Sequence, residues 1–260
     1  MKRLIIFVFL VCACAAAQNK SQTILAVFAH PDDETTVGPV LARYAREGNK
    51  VYLAIATRGE KGTNPRAAAI PAGDALAKVR SDEAACACRQ LGIEPPILFG
   101  LNDGELGAIA SPLGRDIQIV ADRVEKLIAD LHPDVVITWG PDGGYGHPDH
   151  RLVGNAVTQV IQSSKTSVKL YYVGFSPDQV KFVNEMWPMK WHATDPAYLT
   201  VNVAFSKDDQ AAYHRALECH KSQFRLEGMQ KFESALDRGW NGTVSFRPWF
   251  GDHRSDDLFK

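Results

Sequence analysis

Apolar positions fall into short runs rich in β-branched and aromatic residues, and these alternate with longer stretches of helical periodicity. Thr23 to Phe28 (TILAVF) reads as a first strand, and Val37 to Glu47 follows as a helix with Val37, Val40, Leu41 and Tyr44 on one face. Gly48 stops it. Val51 to Ala56 is a second strand, Ala75 to Leu91 a helix closed by Gly92, and Pro96 to Phe99 a short third strand. Leu113 to Leu131 places Leu113, Ile117, Val120, Val124, Leu127 and Leu131 on one helical face. Asp134 to Thr138 (DVVIT), a helix over Leu152 to Ile161 and a strand over Leu170 to Phe175 continue the pattern. Such alternation predicts an α/β fold, a parallel sheet flanked by helices.

From Ser176 the alternation fades into a loop with Trp187-Pro188 and Trp191, a strand over Leu199 to Val203 and a helix over Asp208 to His220. With no Gly, Ser or Pro linker and no repeat, residues 18 to 260 read as a single domain with a C-terminal elaboration.

Composition changes this picture mainly at the start of the chain. Met1-Lys2-Arg3, an apolar run from Leu4 to Ala17 and the small residues Ala15-Ala16-Ala17 read as a signal peptide over residues 1 to 17. The run is shorter than the roughly 20 residues a spanning helix needs, so no transmembrane span is expected. The expectation is an exported protein, periplasmic or secreted, with a buried first strand or an uncleaved anchor as the plainer alternatives. Val11-Cys12-Ala13-Cys14 loosely resembles a bacterial lipobox and adds a third, a lipoprotein acylated at Cys14. Hydrophobic residues at 45% and charged residues at 23% fit a globular chain, and a formal charge of -1 without a basic run excludes nucleic acid as a main partner. Beyond residue 17 only Cys86, Cys88 and Cys219 remain, which indicates neither a disulfide framework nor a cysteine metal site. Cys86 and Cys88 read as small core residues, too differently directed on a helix to bridge each other.

In open parallel sheets ligands bind beyond the carboxyl ends of the strands. Here those ends carry Ala29-His30-Pro31-Asp32-Asp33-Glu34, Thr57-Arg58-Gly59-Glu60, Asn102-Asp103-Gly104-Glu105 and the stretch from Gly140 to His150. A catalytic zinc site takes three protein ligands and leaves a position for water. His30, Asp33 and His150 supply such a set, which suits zinc best and also admits iron, cobalt or nickel. Asp32 is then left as general base and His147 as general acid or carbonyl polariser. The structural alternative is that each His-Pro-Asp turn merely caps a helix. His132, His192, His214, His220 and His253 lack this spacing and read as residues without a metal role. There is no H-E-x-x-H, no G-x-S-x-G and no phosphate-binding glycine loop.

Ala29-His30-Pro31-Asp32-Asp33-Glu34 together with Gly146-His147-Pro148-Asp149-His150 resembles the LmbE-like, PIG-L family of zinc-dependent N-acetylglucosaminide deacetylases. Arg80-x-x-Glu83, Asp103-Gly104 and His220-Lys221-Ser222-Gln223 extend the likeness over roughly residues 24 to 225. The resemblance implies a Rossmann-like fold with one catalytic zinc ion on His30, Asp33 and His150. It implies Asp32 as base, His147 as oxyanion stabiliser or acid, and Asp149 orienting the His147 ring. It also implies that Arg80, Asp103 and Tyr145 contact the substrate, a small amino sugar or glycoconjugate. Plainer roles stand beside these: an ion pair of Arg80 with Glu83, and a simple turn at Asp103-Gly104.

Three activities follow as expectations. The first is removal of an N-acetyl group from an N-acetylglucosamine-type sugar, with export pointing to envelope-derived or environmental amino sugars such as chito-oligosaccharides. The second is an amidase acting on a larger N-acyl or thiol-conjugate substrate, and the third a non-catalytic exported carbohydrate-binding protein. Trp187, Trp191, Trp240, Trp249 and Asp256-Asp257 either line a substrate groove or belong to core and rim. No oligomeric state is read from the sequence.

Overall fold

The run Thr23–Phe28 is apolar at every position after Thr23 because this strand, β1, is covered by helices on both faces. Ile24, Ala26 and Phe28 pack to one side, and Leu25 and Val27 to the other. The computed structural model describes residues 21–64, 67, 69–107, 115–164, 167–186 and 190–260. Residues 1–17, on which the signal-peptide and lipobox readings rest, and Trp187 lie outside them. No helix among the described residues is long and apolar enough to cross a membrane.

The chain continues through α1 (Gly38–Arg46), β2 (Lys50–Thr57), α2 (Asp74–Leu91), β3 (Ile97–Leu101), α3 (Arg115–Leu131), β4 (Val135–Thr138), the short α4 (Gly143–Gly146) and α5 (Pro148–Ser163). It then forms β5 (Lys169–Val173), α6 (Pro177–Met186), β6 (Val201–Ala204), α7 (Lys207–Leu217), α8 (Leu226–Trp240) and β7 (Thr243–Pro248). One seven-stranded sheet has the order β3-β2-β1-β4-β5-β7-β6. Its register is set by pairs such as Leu25 with Tyr52 and Leu25 with Val136. Helices α3 and α5 bury Val120, Val124, Val153 and Val157 against one face, and α1, α2, α7 and α8 bury Leu41, Cys88, Tyr213 and Phe232 on the other.

The expected α/β fold, a sheet with helices on both faces, is present, and two details of the expectation differ. The sheet is mixed: β1 to β5 are parallel, whereas β7 is antiparallel to both β5 and β6. Strands β5 and β6 run the same way and are joined through α6, and β7 returns between them in the opposite direction, so the run of neighbouring parallel strands ends at β5. The cysteines also differ, because Cys86 on α2 and Cys219 just after α7 form a disulfide with Cα atoms 5.8 Å apart. Their sequence separation of 133 residues is closed by the packing of α2 on α7, which spacing alone does not reveal. Cys88 stays free and buried, as a small core residue.

The geometry places the ends of β1, β2, β3 and β4 side by side. The polar segments that follow them therefore face one another.

Candidate active site

The chain leaves β1 in a turn built around one carboxylate. Asp33 Oδ2 accepts the backbone N–H groups of Ala29 and His30, each at 3.0 Å, and the indole Nε1–H of Trp139 at 2.9 Å. With that oxygen saturated, Oδ1 is left 3.2 Å from His150 Nε2. Burial opposes ionisation of Asp33, but His150 and His30 outweigh it and hold the carboxyl well below the ordinary carboxylate range.

His150 lies near the start of α5 with its Nδ1 at 3.1 Å from the Gly143 carbonyl, which places the proton on Nδ1 and the lone pair on Nε2. That lone pair is 3.0 Å from His30 Nδ1. His30 Nε2, in turn, is 3.2 Å from Asp103 Oδ1 and 3.4 Å from Asp149 Oδ2, between the two carboxylates and aligned with neither. Burial works against a charged His30, and these two carboxylates with Asp33 more than offset it, so its pKa is raised.

Three electron-rich atoms, His30 Nδ1, His150 Nε2 and Asp33 Oδ1, thus converge in a buried space. Lone pairs facing each other at such distances repel unless a proton or a cation lies between them. Two imidazole nitrogens and a carboxylate oxygen, each ring backed on its far side by an acceptor, form a donor set that fits a divalent transition metal. His147 also comes within this space: ligand atoms of His30, His147 and His150 lie within 4.8 Å of one another. Its Nδ1, however, accepts the backbone N–H of Asp149 at 3.2 Å, which caps α5 and leaves Nε2–H as a donor. Burial first, then the charges of His30 and His150, lower the His147 pKa to about 4, so the ring is neutral near pH 7.

Asp32 takes φ 105°, a conformation unusual for a residue with a side chain. Its Oδ2 is 3.1 Å from Arg80 Nη2. Burial pushes its pKa up to about 6, against the opposing charge of Arg80 and with help from Asp33. Arg80 is itself buried, donating from Nη1 to the Gly59 carbonyl at 3.0 Å and from Nη2 to the Pro31 carbonyl. No ion pair with Glu83 forms; Glu83 accepts from the Ser222 backbone N–H and hydroxyl instead, at 2.7 and 2.6 Å. Gly59, at φ 65°, and Gly62 make room for the guanidinium, since a Cβ at either would overlap it.

The remaining expected residues fall nearby with shifted partners. Asp103 is oriented toward His30, and its backbone N–H donates to Glu60. The Asp149 carboxylate accepts from Gly104 N–H at 2.7 Å and reaches His30, so only its backbone meets the His147 ring. Tyr145 stands with its ring 5.2 Å from His150 and 5.3 Å from Trp191, and burial raises its pKa. Of the expected residues, His30, Asp32, Asp33, Arg80, Asp103, Tyr145, His147 and His150 line one cavity of about 300 Å³, and Asp149 does not. Trp191 lines it too, whereas Trp240 is core.

Sequence reasoning passed over Trp139, named Glu60 only as part of the polar segment after the second strand, and gave His220 no role beyond its likeness to a motif. The signal for Trp139 was its position at the end of the fourth strand. Elsewhere, His214 with Glu233 and Asp237 forms another group of ligand-type side chains.

Residues 25–161 match the family model PIG-L, GlcNAc-PI de-N-acetylase. A 1D-myo-inositol 2-acetamido-2-deoxy-alpha-D-glucopyranoside deacetylase from Mycobacteroides abscessus is 36% identical over 168 residues, 58% of this chain and 60% of the relative. A second protein of that name from Catenulispora acidiphila is 30% identical over 255 residues, covering 82% of this chain and 84% of that one. The chain spans 45 to 60% of the length of the first curated relatives it matches. In structure it resembles N,N'-diacetylchitobiose deacetylase from Pyrococcus horikoshii, with a TM-score of 0.64 and 18% identity over 88% of this chain and 84% of the other, a likeness of fold.

These relatives overturn the export expectation. They are deacetylases of an inositol-linked acetamido sugar rather than of envelope or environmental chito-oligosaccharides. Periplasmic, secreted or Cys14-anchored placement has no support from these relatives.

Proposed function

Because this chain belongs to the PIG-L family, we propose that it is a zinc-dependent hydrolase removing an N-acetyl group from an N-acetylglucosamine-type sugar. The observation that carries the reading is the convergence of His30 Nδ1, His150 Nε2 and Asp33 Oδ1 beside the Asp32 carboxylate in one cavity. The continuous sheet from Thr23 to Pro248 supports treating residues 18 to 260 as one catalytic domain.

His30, Asp33 and His150 would hold the ion. When bound, zinc supplies Lewis acidity, lowering the pKa of water to about 7 and drawing charge from the acyl carbonyl. Asp32 takes a proton from the attacking water, a role that suits a carboxylate with a pKa near 6 and a neighbouring guanidinium to hold it. His147 donates its Nε2–H to the carbonyl oxygen as negative charge grows there, and its neutral state lets it act as a donor without adding a like charge beside the metal donors. As the carbon–nitrogen bond breaks, Asp32 returns its proton to the departing amine. Arg80 fixes Asp32, and Asp103 with Asp149 fixes His30. Tyr145 is left to meet the sugar or its acyl group from the cavity wall.

Phe224 and Phe232, stacked 5.4 Å apart on the same cavity, favour a second reading in which a larger apolar acyl group is released. The test measures acid release from N-acetylglucosamine, N,N'-diacetylchitobiose, the inositol glycoside and a long-chain N-acyl glucosamine. It is run with zinc, with chelator and with Asp32→Ala. Zinc-dependent acetate release that falls about 10²- to 10⁴-fold in the variant supports the proposal. Release of the long acid alone moves the assignment to the second reading, and no release, from a folded zinc-loaded protein, removes both.

A further inference from the structure

The usefulness of Asp32 as a base depends on a backbone held at φ 105° and ψ -13°. Arg80 grips the side chain. The backbone N–H is held separately, by Glu34, whose Oε2 accepts it at 3.1 Å. The other oxygen of Glu34 receives the Nε2–H of His220 at 2.6 Å, from 186 residues further along the chain. Both side chains are fully buried. A carboxylate out of reach of water persists only with its acceptor sites filled, and His220 fills the one that Asp32 does not. The His220 Nδ1 atom has no partner among the described residues, so the ring is tied through Nε2. Its segment is pinned by Ser222 on Glu83 and by Gln223 on the Gly62 carbonyl at 2.9 Å.

Neither Glu34 nor His220 lines the cavity. Resting on the deacetylase reading, we propose that they form a positioning dyad: His220 fixes Glu34, and Glu34 locks the Asp32 backbone in the conformation that aims its carboxylate. The last third of the chain thereby takes part in catalysis without touching substrate. A pair serving the fold alone would have no reason to end on the amide of the base.

The experiment is a double-mutant cycle on the full-length, zinc-loaded protein. His220→Leu, His220→Gln and Glu34→Gln are made with and without Asp32→Ala, and kcat, KM, zinc affinity and thermal midpoint are measured. Misplacing a reacting group by about 1 Å costs up to about 100-fold, so His220→Leu should lower kcat roughly 10- to 100-fold while KM moves less than about threefold. His220→Gln, whose amide N–H still donates to Glu34, should recover most of that loss. With Asp32→Ala already present, His220→Leu should cost less than about twofold more, and zinc affinity should be unchanged. If His220→Leu does not fold, Glu34→Gln, nearly isosteric but with an N–H set against His220, takes its place in the cycle. Undiminished turnover, a loss equally large without Asp32, or a parallel fall in zinc affinity each overturns the dyad. Wild-type protein that releases no acetate overturns the deacetylase reading first and the dyad with it.

Discussion

The indole of Trp139 lies flat on the imidazole of His150, with centroids 4.3 Å apart and planes 4° from parallel, while its Nε1–H donates to Asp33 at 2.9 Å. One side chain therefore fixes the orientation of two proposed metal donors. Trp139→Phe keeps an aromatic face and removes the N–H. Loss of such a backing contact typically costs 10- to 100-fold in metal affinity, and a zinc competition titration should show about that decrease. Unchanged affinity would mean that the two backbone N–H groups alone hold Asp33.

Gly62 tests the seat of Arg80. Its backbone is not in the left-handed region, so Gly62→Ala introduces a steric effect alone, against a guanidinium tied to Gly59 and Pro31. Displacing Arg80 frees Asp32, and kcat should fall about 10-fold or more with a smaller effect on the thermal midpoint. Wild-type turnover would show that Arg80 has another place to go.

The Cys86–Cys219 bridge closes a long loop in the unfolded chain. Restricting a loop of that size stabilises the fold by about 2 to 5 kcal/mol. Cys86→Ser, or reduction under native conditions, should lower the urea midpoint accordingly. A midpoint that ignores reductant would mean that the bridge is not formed in solution.

His214 joins α7 to α8, with Nδ1 3.0 Å from Glu233 and Nε2 2.9 Å from Asp237. Burial disfavours the charged ring, and Asp237, then Glu233 and Glu218, outweigh it, so the pKa is raised above the ordinary 6.5. A raised folded-state pKa gives stability that is fully present below about 6.5 and lost as pH rises through the folded value. Water screens this half-exposed clamp, which limits the effect to about 1 kcal/mol, or about 2–4 °C in thermal midpoint for a chain of this size. The wild type should lose that margin over His214→Gln between pH 6 and pH 9. A constant difference would exclude the clamp as its source.

The five parallel strands and the helices between them are legible in the sequence because each is either apolar throughout or periodic at 3.6 residues. Thr23–Phe28 is found at its full extent. The helix begun at Leu152 in the sequence starts four residues earlier, at Pro148, because its first turn holds His150 and Asp149 rather than apolar side chains. Helix α8 escaped notice although Met229, Phe232, Leu236 and Trp240 share a face, since Gly228 and Gly239 interrupt it. Within the site, the two His-Pro-Asp segments pointed to the side chains that converge there, His30, Asp33 and His150. What they did not reveal is that Asp103 and Asp149 meet across His30, because that contact depends on the strand order, in which only β2 separates the ends of β3 and β1 and β4 flanks β1 on its other side.

Among the described strands β7 comes last in chain order, yet it lies inside the sheet, between β5 and β6. Until Thr243–Pro248 emerges, β5 keeps an open edge and β6 lacks the only strand it pairs with among the described residues. A growing chain thus carries every proposed metal donor long before its sheet can close. Completion is a late, long-range step, which makes that open edge the place where a stalled or truncated chain would be expected to self-associate.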